Sequence, residues 1–149
     1  MKRSGRISLL LVFAIVGVAV LAVLALMSGG SPSTTAARFL TALQMKDVKT
    51  LVELSDVDDQ GKASLEQKLS DTVNVAGKHY NFTWRIVATQ LDGDTAVVKL
   101  LYTKNSDSLA SYEENVDLPL VKKDGVWKVT LFEVPRKLYP GLPRADSLK

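Results

Sequence analysis

The side chains best suited to chemistry are a single histidine and two acidic pairs. His79 is the one histidine of the chain, so a metal site built from several histidines is excluded and a Ser-His-Asp triad would need it as base. No Gly-x-Ser-x-Gly turn accompanies it, and a surface position at a strand edge is favoured. Asp58-Asp59 and Glu113-Glu114 lack the ligand spacing of a calcium loop. We therefore predict no catalytic residue, no metal and no cofactor.

Four aromatic residues form the other candidate site. Tyr80, Trp84, Tyr102 and Trp127 fall on inward faces of predicted strands. They would either line an apolar ligand pocket or fill a core, since both require these residue types. The acidic residues of the same strands fall on the opposite face, which argues against acid–base catalysis at this site. The favoured interpretation is a filled core.

Composition excludes several classes of protein. The 149 residues, 46% of them hydrophobic, provide one domain and an accessory segment. The absence of cysteine excludes disulfides and a thiol nucleophile. Three of the 19 basic residues precede residue 7, so the rest of the chain carries 16 basic and 16 acidic side chains. No basic block is interleaved with aromatics, and nucleic acid is not an expected partner.

The N-terminal part is dominated by an uncharged stretch, Ile7–Met27. Its 21 residues match the ~20 that a helix needs to span a bilayer. The basic residues of segment 1–6 place the N-terminus in the cytoplasm, so a single-pass membrane protein with an extracytoplasmic domain is predicted. Residues 28–35 form a flexible tether. The alternative, a cleaved signal peptide ending near Ser28–Ser31, is disfavoured because the apolar run is too long.

Three helices are expected after the tether. Thr34 or Thr35 is the expected N-cap of the first, and Asp47 that of a second, short one. The third runs from Lys62 to about Val73. The apolar stripes comprise Ala36, Phe39, Leu40, Leu43, Val48, Leu51, Val52, Leu65 and Leu69.

From residue 79 onward the apolar period changes to two, which predicts strands. Turns are expected at Asp92–Asp94 and at Asp124-Gly125. Pro119 lacks an N–H and predicts an edge or bulged third strand. The predicted inward positions are Tyr80, Phe82, Trp84, Ile86, Ala96, Val98, Leu100, Tyr102, Val116, Leu118, Leu120, Trp127, Val129 and Leu131.

These elements predict an α+β fold class. An N-terminal transmembrane helix is followed by three helices packed on a curved four-stranded antiparallel sheet, which together form an extracytoplasmic domain over residues 36–134. Residues 135–149 contain three prolines and predict an extended C-terminal tail.

The leading helix "FLTALQMKDVKTLVELS" and the closing strand "DGVWKVTLFEV" resemble the nuclear-transport-factor-2-like superfamily of cone-shaped α+β domains. The resemblance covers roughly residues 36–134 and is greatest to small membrane-anchored or exported bacterial members. It implies a curved sheet that encloses a pocket, used for catalysis by some members and for binding or assembly by others.

The expected function is therefore a binding or assembly module without catalytic activity. Its expected partners are the membrane, through the N-terminal helix, and either an envelope protein or an apolar small molecule. The alternative is a small hydrolase, isomerase or dehydratase that acts on an apolar ligand inside the cone, since such relatives use an Asp or His base with tyrosine donors.

Overall fold

The computed structural model describes residues 30–78, 80–104 and 111–144. In chain order they form α1 (Pro32–Met45), α2 (Val48–Leu54), α3 (Lys62–Ala76), β1 (Phe82–Asp92), β2 (Thr95–Lys104), β3 (Tyr112–Lys123), β4 (Val126–Val129) and a 3-10 helix (Leu131–Glu133). The strands form one antiparallel sheet in the order β1-β2-β3-β4. The predicted α+β arrangement of three helices and a four-stranded meander is confirmed.

The sequence also predicted a transmembrane helix as the first element of the fold. None of the helices within the described ranges is long and apolar enough to cross a membrane, and the predicted span Ile7–Met27 lies outside those ranges. The fold class is corrected to three helices and a four-stranded antiparallel sheet. The single-pass localisation in the cell membrane rested on that helix and is withdrawn with it.

Capping residues set the beginnings of α1 and α2. Pro32 occupies the first turn of α1, where its missing N–H costs nothing, and Ser31 Oγ accepts a first-turn N–H at 3.2 Å. The helix therefore begins earlier than the expected caps Thr34 and Thr35, and it takes in part of the predicted tether. Asp47 caps α2 as predicted, with its carboxylate accepting a first-turn N–H at 3.2 Å.

The apolar stripes of the helices and the inner face of the sheet form one core. All the predicted inward residues from β2 to the 3-10 helix are buried. Trp127 is among them at 5% exposure. β1 differs because it is an edge strand, and its Trp84 and Ile86 are only half-buried. The hairpin before β4 turns at Asp124 and Gly125 with φ of 50° and 77°, as the Asp-Gly pair predicted.

Pro119 lies in a central strand, so the edge or bulged position predicted for β3 is wrong. Its carbonyl accepts the N–H of Thr130 at 3.0 Å, just beyond the end of β4 at Val129. In an antiparallel ladder the N–H and C=O of one residue face the same neighbour. The missing N–H therefore faces Thr130, just beyond the end of β4, and no bond within the paired strands is lost. The bulge lies instead in β1, between Ile86 and Ala88.

Residues 135–144, the C-terminal segment, contribute two side chains to the domain core, although the sequence predicted an extended tail here. Leu138 and Tyr139 are 0% and 1% exposed. Lys137 Nζ donates to Glu114 Oε1 at 2.9 Å and so ties the segment to β3. Turns rather than a helix or strand bring the two apolar side chains to the core.

Candidate functional site

Four aromatic rings from three parts of the chain meet where the C-terminal segment closes the core. Tyr80 and Phe82 lie at the start of β1, Tyr102 near the end of β2, and Tyr139 in the C-terminal segment. The rings of Phe82 and Tyr102 stack with centroids 5.0 Å apart. Tyr139 meets Tyr80 edge-on at 5.2 Å and Phe82 at 6.1 Å. We call these four residues the aromatic cluster.

Two hydroxyl groups of the cluster hold the C-terminal segment in place. Tyr102 donates to the carbonyl oxygen of Leu138. Tyr80 donates to the same oxygen at 3.1 Å and to that of Lys137 at 3.3 Å. The segment is therefore fixed through its backbone, and the hydroxyls of buried Tyr102 and half-buried Tyr80 are both satisfied.

The third hydroxyl, that of Tyr139, is buried without a partner. Among the described residues it is the one buried side-chain polar atom that makes no hydrogen bond. Such an atom costs about 1–3 kcal/mol when left unpaired. Burial raises the pKa of Tyr139, and nearby Tyr80 raises it further, so the hydroxyl stays protonated and able to donate.

Tyr139 is one of the residues that line a cavity of about 260 Å³. It lies between the ends of α1 and α3, the start of β1 and the C-terminal segment, and we call it the mouth cavity. Its lining residues are Leu43, Gln44, Lys46, Gly77, Tyr80, Asn81, Phe82 and Tyr139.

Tyr139 also borders a larger cavity of about 360 Å³ that residues 131–144 form alone. Tyr80 borders the mouth cavity but not this larger one. The larger cavity takes all of its lining from this one stretch of the chain, whereas the mouth cavity is lined by several parts of the domain. The larger cavity is therefore not part of the candidate site.

Gln44 and Lys46 give the mouth cavity its polar wall. Gln44 Nε2 donates to the carbonyl of Phe82 at 2.8 Å, and its Oε1 accepts from Trp84 Nε1 at 3.2 Å. Lys46 ends α1 in the left-handed conformation, with φ of 58°. Its side chain crosses Gly77, where an added Cβ would lie 2.5 Å from Lys46 Cε and 3.2 Å from Nζ. The same Cβ would lie 2.4 Å from the carbonyl oxygen of Val73, so the backbone itself requires glycine at this position.

The structure brings together only part of the predicted aromatic site. Tyr80 and Tyr102 meet in the aromatic cluster, with their hydroxyls 3.4 Å apart. Trp84 reaches the mouth cavity only through its hydrogen bond to Gln44. Trp127 is buried on β4 with Lys122 Nζ 5.9 Å from its ring centroid, and it is absent from the cavity lining.

The other candidate groups of the sequence do not form a reactive centre among the described residues. Asp59 pairs with Lys62, and Glu114 binds Lys137. Within residues 30–78, 80–104 and 111–144, no three His, Cys, Asp or Glu side chains come close enough to hold a metal ion. His79 lies outside those ranges.

Sequence reasoning missed Gln44, Lys46, Gly77 and Tyr139, which come together only in the folded domain. The sequence signals for these residues were weak. The stretch "LYP" places an apolar pair, Leu138 and Tyr139, within the proline-rich end of the chain, and the stretch "QMKD" places Gln44 and Lys46 at the end of the first helix.

No protein-family model matches the chain, and no curated protein matches it significantly. Solved structures do resemble it. A Campylobacter jejuni protein whose proposed assignment is NTF2-like transpeptidase aligns with a TM-score of 0.50 and 24% identity, over 68% of this chain and 99% of that one. This likeness concerns the fold alone. The described domain has an NTF2-like fold.

Two more distant structures resemble the chain. A SEC-C motif containing protein from Rhodopseudomonas palustris has a TM-score of 0.46 and 14% identity, over 61% of this chain and 68% of its own. A protein of unknown function from Mycobacterium tuberculosis has a TM-score of 0.48 and 15% identity, over 66% of this chain and 64% of its own. The fold assignment does not rest on these two.

Proposed function

We propose that the domain is a non-catalytic binding module that takes a small polar ligand in the mouth cavity. The polar lining of this cavity carries the proposal. One of the lining residues, Tyr139, has a buried hydroxyl without a partner, although buried polar groups in folded proteins almost always have one. A bound ligand that accepts a hydrogen bond from Tyr139 would remove the cost of leaving that group unpaired.

The state of the buried titratable groups supports binding rather than acid–base catalysis. Burial raises the pKa of both Tyr102 and Tyr139, so both remain neutral donors across the physiological pH range. A general base must lose its proton near the working pH. The strand carboxylates Glu113 and Asp117 are exposed on the other face of the sheet, away from the mouth cavity.

The fold does not bring an activity with it. The transpeptidase assignment of the Campylobacter protein therefore stays with that protein. Acyl transfer needs a nucleophile activated by a base, whereas the mouth cavity is lined by donors. We also depart from the expected apolar ligand, because apolar side chains already fill the interior of the cone and five of the eight residues lining the mouth cavity are polar.

Tyr139→Phe tests the proposal. Fragments screened by NMR against the full chain should shift the resonances of Gly77, Tyr80 and Asn81 in the natural protein. We expect Tyr139→Phe to lose this binding by about tenfold, the equivalent of one hydrogen bond of about 1.4 kcal/mol. Its stability should be unchanged or higher, because an unpaired buried hydroxyl has been removed.

Tyr112→Phe is the matched control. Tyr112 lies on β3, is 55% exposed and is absent from the cavity lining, so this variant should bind as the natural protein does. The proposal is overturned if no fragment perturbs the mouth cavity, or if Tyr139→Phe binds as well as Tyr112→Phe. The latter result would mean that water alone serves the Tyr139 hydroxyl.

A further inference from the structure

We propose that the domain associates with a second copy of itself through the outer edge of β1. The surface is the backbone edge of residues 85–92 together with the side chains beside it, and we call it the β1 edge. In this dimer the two β1 strands run antiparallel and join the two sheets into one. The proposal does not depend on the mouth cavity or on its ligand.

The two edges of the sheet are covered to different extents. At the edge formed by the short strand β4, Ser55 makes a parallel bridge with Val129, and the N–H of Asp56 donates to the carbonyl of Val129 at 2.8 Å. In the part of the chain that the structure describes, the longer strand β1 pairs with β2 alone. An unpaired edge presents a row of backbone donors and acceptors to which another strand can bind. The longer edge is therefore the one left open.

The start of β1 is covered by α1, so the open part of the edge begins beyond Trp84. Gln44 Nε2 donates to the carbonyl of Phe82 at 2.8 Å, and Trp84 Nε1 donates to Gln44 Oε1 at 3.2 Å. Farther along, the strand exposes two large apolar side chains, Val87 at 55% and Leu91 at 63%. Exposed apolar side chains on an edge strand favour association with another strand.

Two opposite charges also lie along the open part of the strand. Arg85 and Asp92 are exposed, and the ion pairs among the described residues join other side chains. Both lie on the outer face of the sheet, because their partners on β2, Leu101 and Thr95, alternate with the buried positions of that strand. Opposite charges that face each other across two strands stabilise the pairing, and like charges weaken it.

One symmetric register brings these charges together. Val87 is the extra residue of the bulge in β1, so it is left out of the count of facing positions. When the dimer axis passes Thr89, the facing pairs are Thr89 with Thr89, Ala88 with Gln90, Ile86 with Leu91, and Arg85 with Asp92. The two members of each pair lie on the same face of the sheet, and each pair of unlike residues occurs twice. No other register within β1 that keeps the faces matched places Arg85 opposite an acid.

The charge and the bulge of β1 also have a simpler explanation, because proteins use both to keep an exposed edge from pairing. On that explanation Arg85 opposes association, and reversing its charge leaves the chain monomeric. On the proposed pairing Arg85 attracts Asp92 of the second copy, and reversing both charges together restores what either reversal alone removes. The double variant therefore distinguishes the two explanations.

A single cysteine tests the register, since the natural chain has none. Thr89→Cys places two sulfurs across the dimer axis, where facing Cα atoms lie ~4.5–5.5 Å apart, within the range of a disulfide. Thr83→Cys, an exposed threonine of the same strand, is the matched control because its two copies lie roughly 30 Å apart in this register. Under mild oxidation the full chain with Thr89→Cys should form a linked dimer about tenfold or more faster than with Thr83→Cys.

Charge reversal in the Thr89→Cys background tests the facing pair. Arg85→Glu and Asp92→Arg each turn two attractive pairs of the dimer into two repulsive ones, so each should slow the linkage about tenfold or more. The variant with both reversals should recover the original rate. Lys49→Glu, which reverses an exposed charge on α2, should leave the rate unchanged.

Three results would overturn the proposal: equal linkage in the two cysteine variants, a rate that Arg85→Glu leaves unchanged or increases, or a double variant that does not recover. Thr89 Oγ1 lies 2.8 Å from Ser33 Oγ, so the melting temperature of Thr89→Cys must be compared with that of the natural chain. If this variant does not fold, sedimentation equilibrium of the natural chain and its charge variants gives the same comparison, and a monomeric natural chain then overturns the proposal.

Discussion

At the scale of single residues, the carbonyl of Leu138 is shared by two tyrosine hydroxyls. Either Tyr80→Phe or Tyr102→Phe leaves this buried oxygen one donor, so each should lower the free energy of unfolding by only about 0.5–1.5 kcal/mol. The double variant leaves it none, and its loss should exceed the sum of the two by about 1 kcal/mol or more. Urea denaturation of the four proteins measures this, and additivity within ~0.5 kcal/mol would contradict it.

The residues around the mouth cavity show which parts of a candidate site can be predicted from the sequence. Alternation along the strand correctly placed Tyr102 in the core, because a strand residue's face follows from its position alone. Tyr139 and Lys46 have no such pattern. They line one cavity only after α1, β1 and the C-terminal segment have packed together, and packing between distant parts of the chain has no local sequence signal.

At the scale of elements, β4 is short but supplies Trp127 and Val129 to the core. Trp127→Ala should lower the free energy of unfolding by about 3–5 kcal/mol, the usual cost of removing a buried tryptophan ring. Val126→Ala, on the exposed face of the same strand at 38% exposure, should change it by less than about 0.5 kcal/mol. Similar losses in both variants would mean that the inward face of β4 is wrongly assigned.

Helix caps and turns could be predicted from the sequence where a few adjacent residues determine them. Features that depend on a neighbouring strand could not. The Asp47 cap and the Asp124-Gly125 turn depend on a few adjacent residues, and both were predicted. The position of Pro119 depends on where β4 ends, which the sequence of β3 does not contain. The start of α1 was predicted a few residues too late. Ser31 as N-cap, followed by Pro32 in the first turn, begins the helix before the threonines that were expected to cap it.

At the scale of the whole molecule, the domain is closed at the mouth by its own C-terminal segment. Prolines rule out a regular helix there, which suggested a tail. They do not rule out turns, and turns suffice to bury Leu138 and Tyr139. The same closure makes the mouth cavity, because Tyr139 forms one of its walls. The mouth cavity and the stability of the domain therefore depend on the same few residues.

Truncation of the chain measures this dependence. Ending the chain after Val134 removes two fully buried side chains, worth roughly 1.5–3 kcal/mol each, and leaves the Tyr80 and Tyr102 hydroxyls without their acceptors. Because domains of this size are stable by only about 5–15 kcal/mol, the melting temperature should fall sharply or the transition should disappear. Ending the chain after Arg144 keeps every contact named above and should leave the transition unchanged. If both truncated chains melt as the full chain does, the C-terminal segment is not part of the folded core, and the mouth cavity loses the wall that Tyr139 provides.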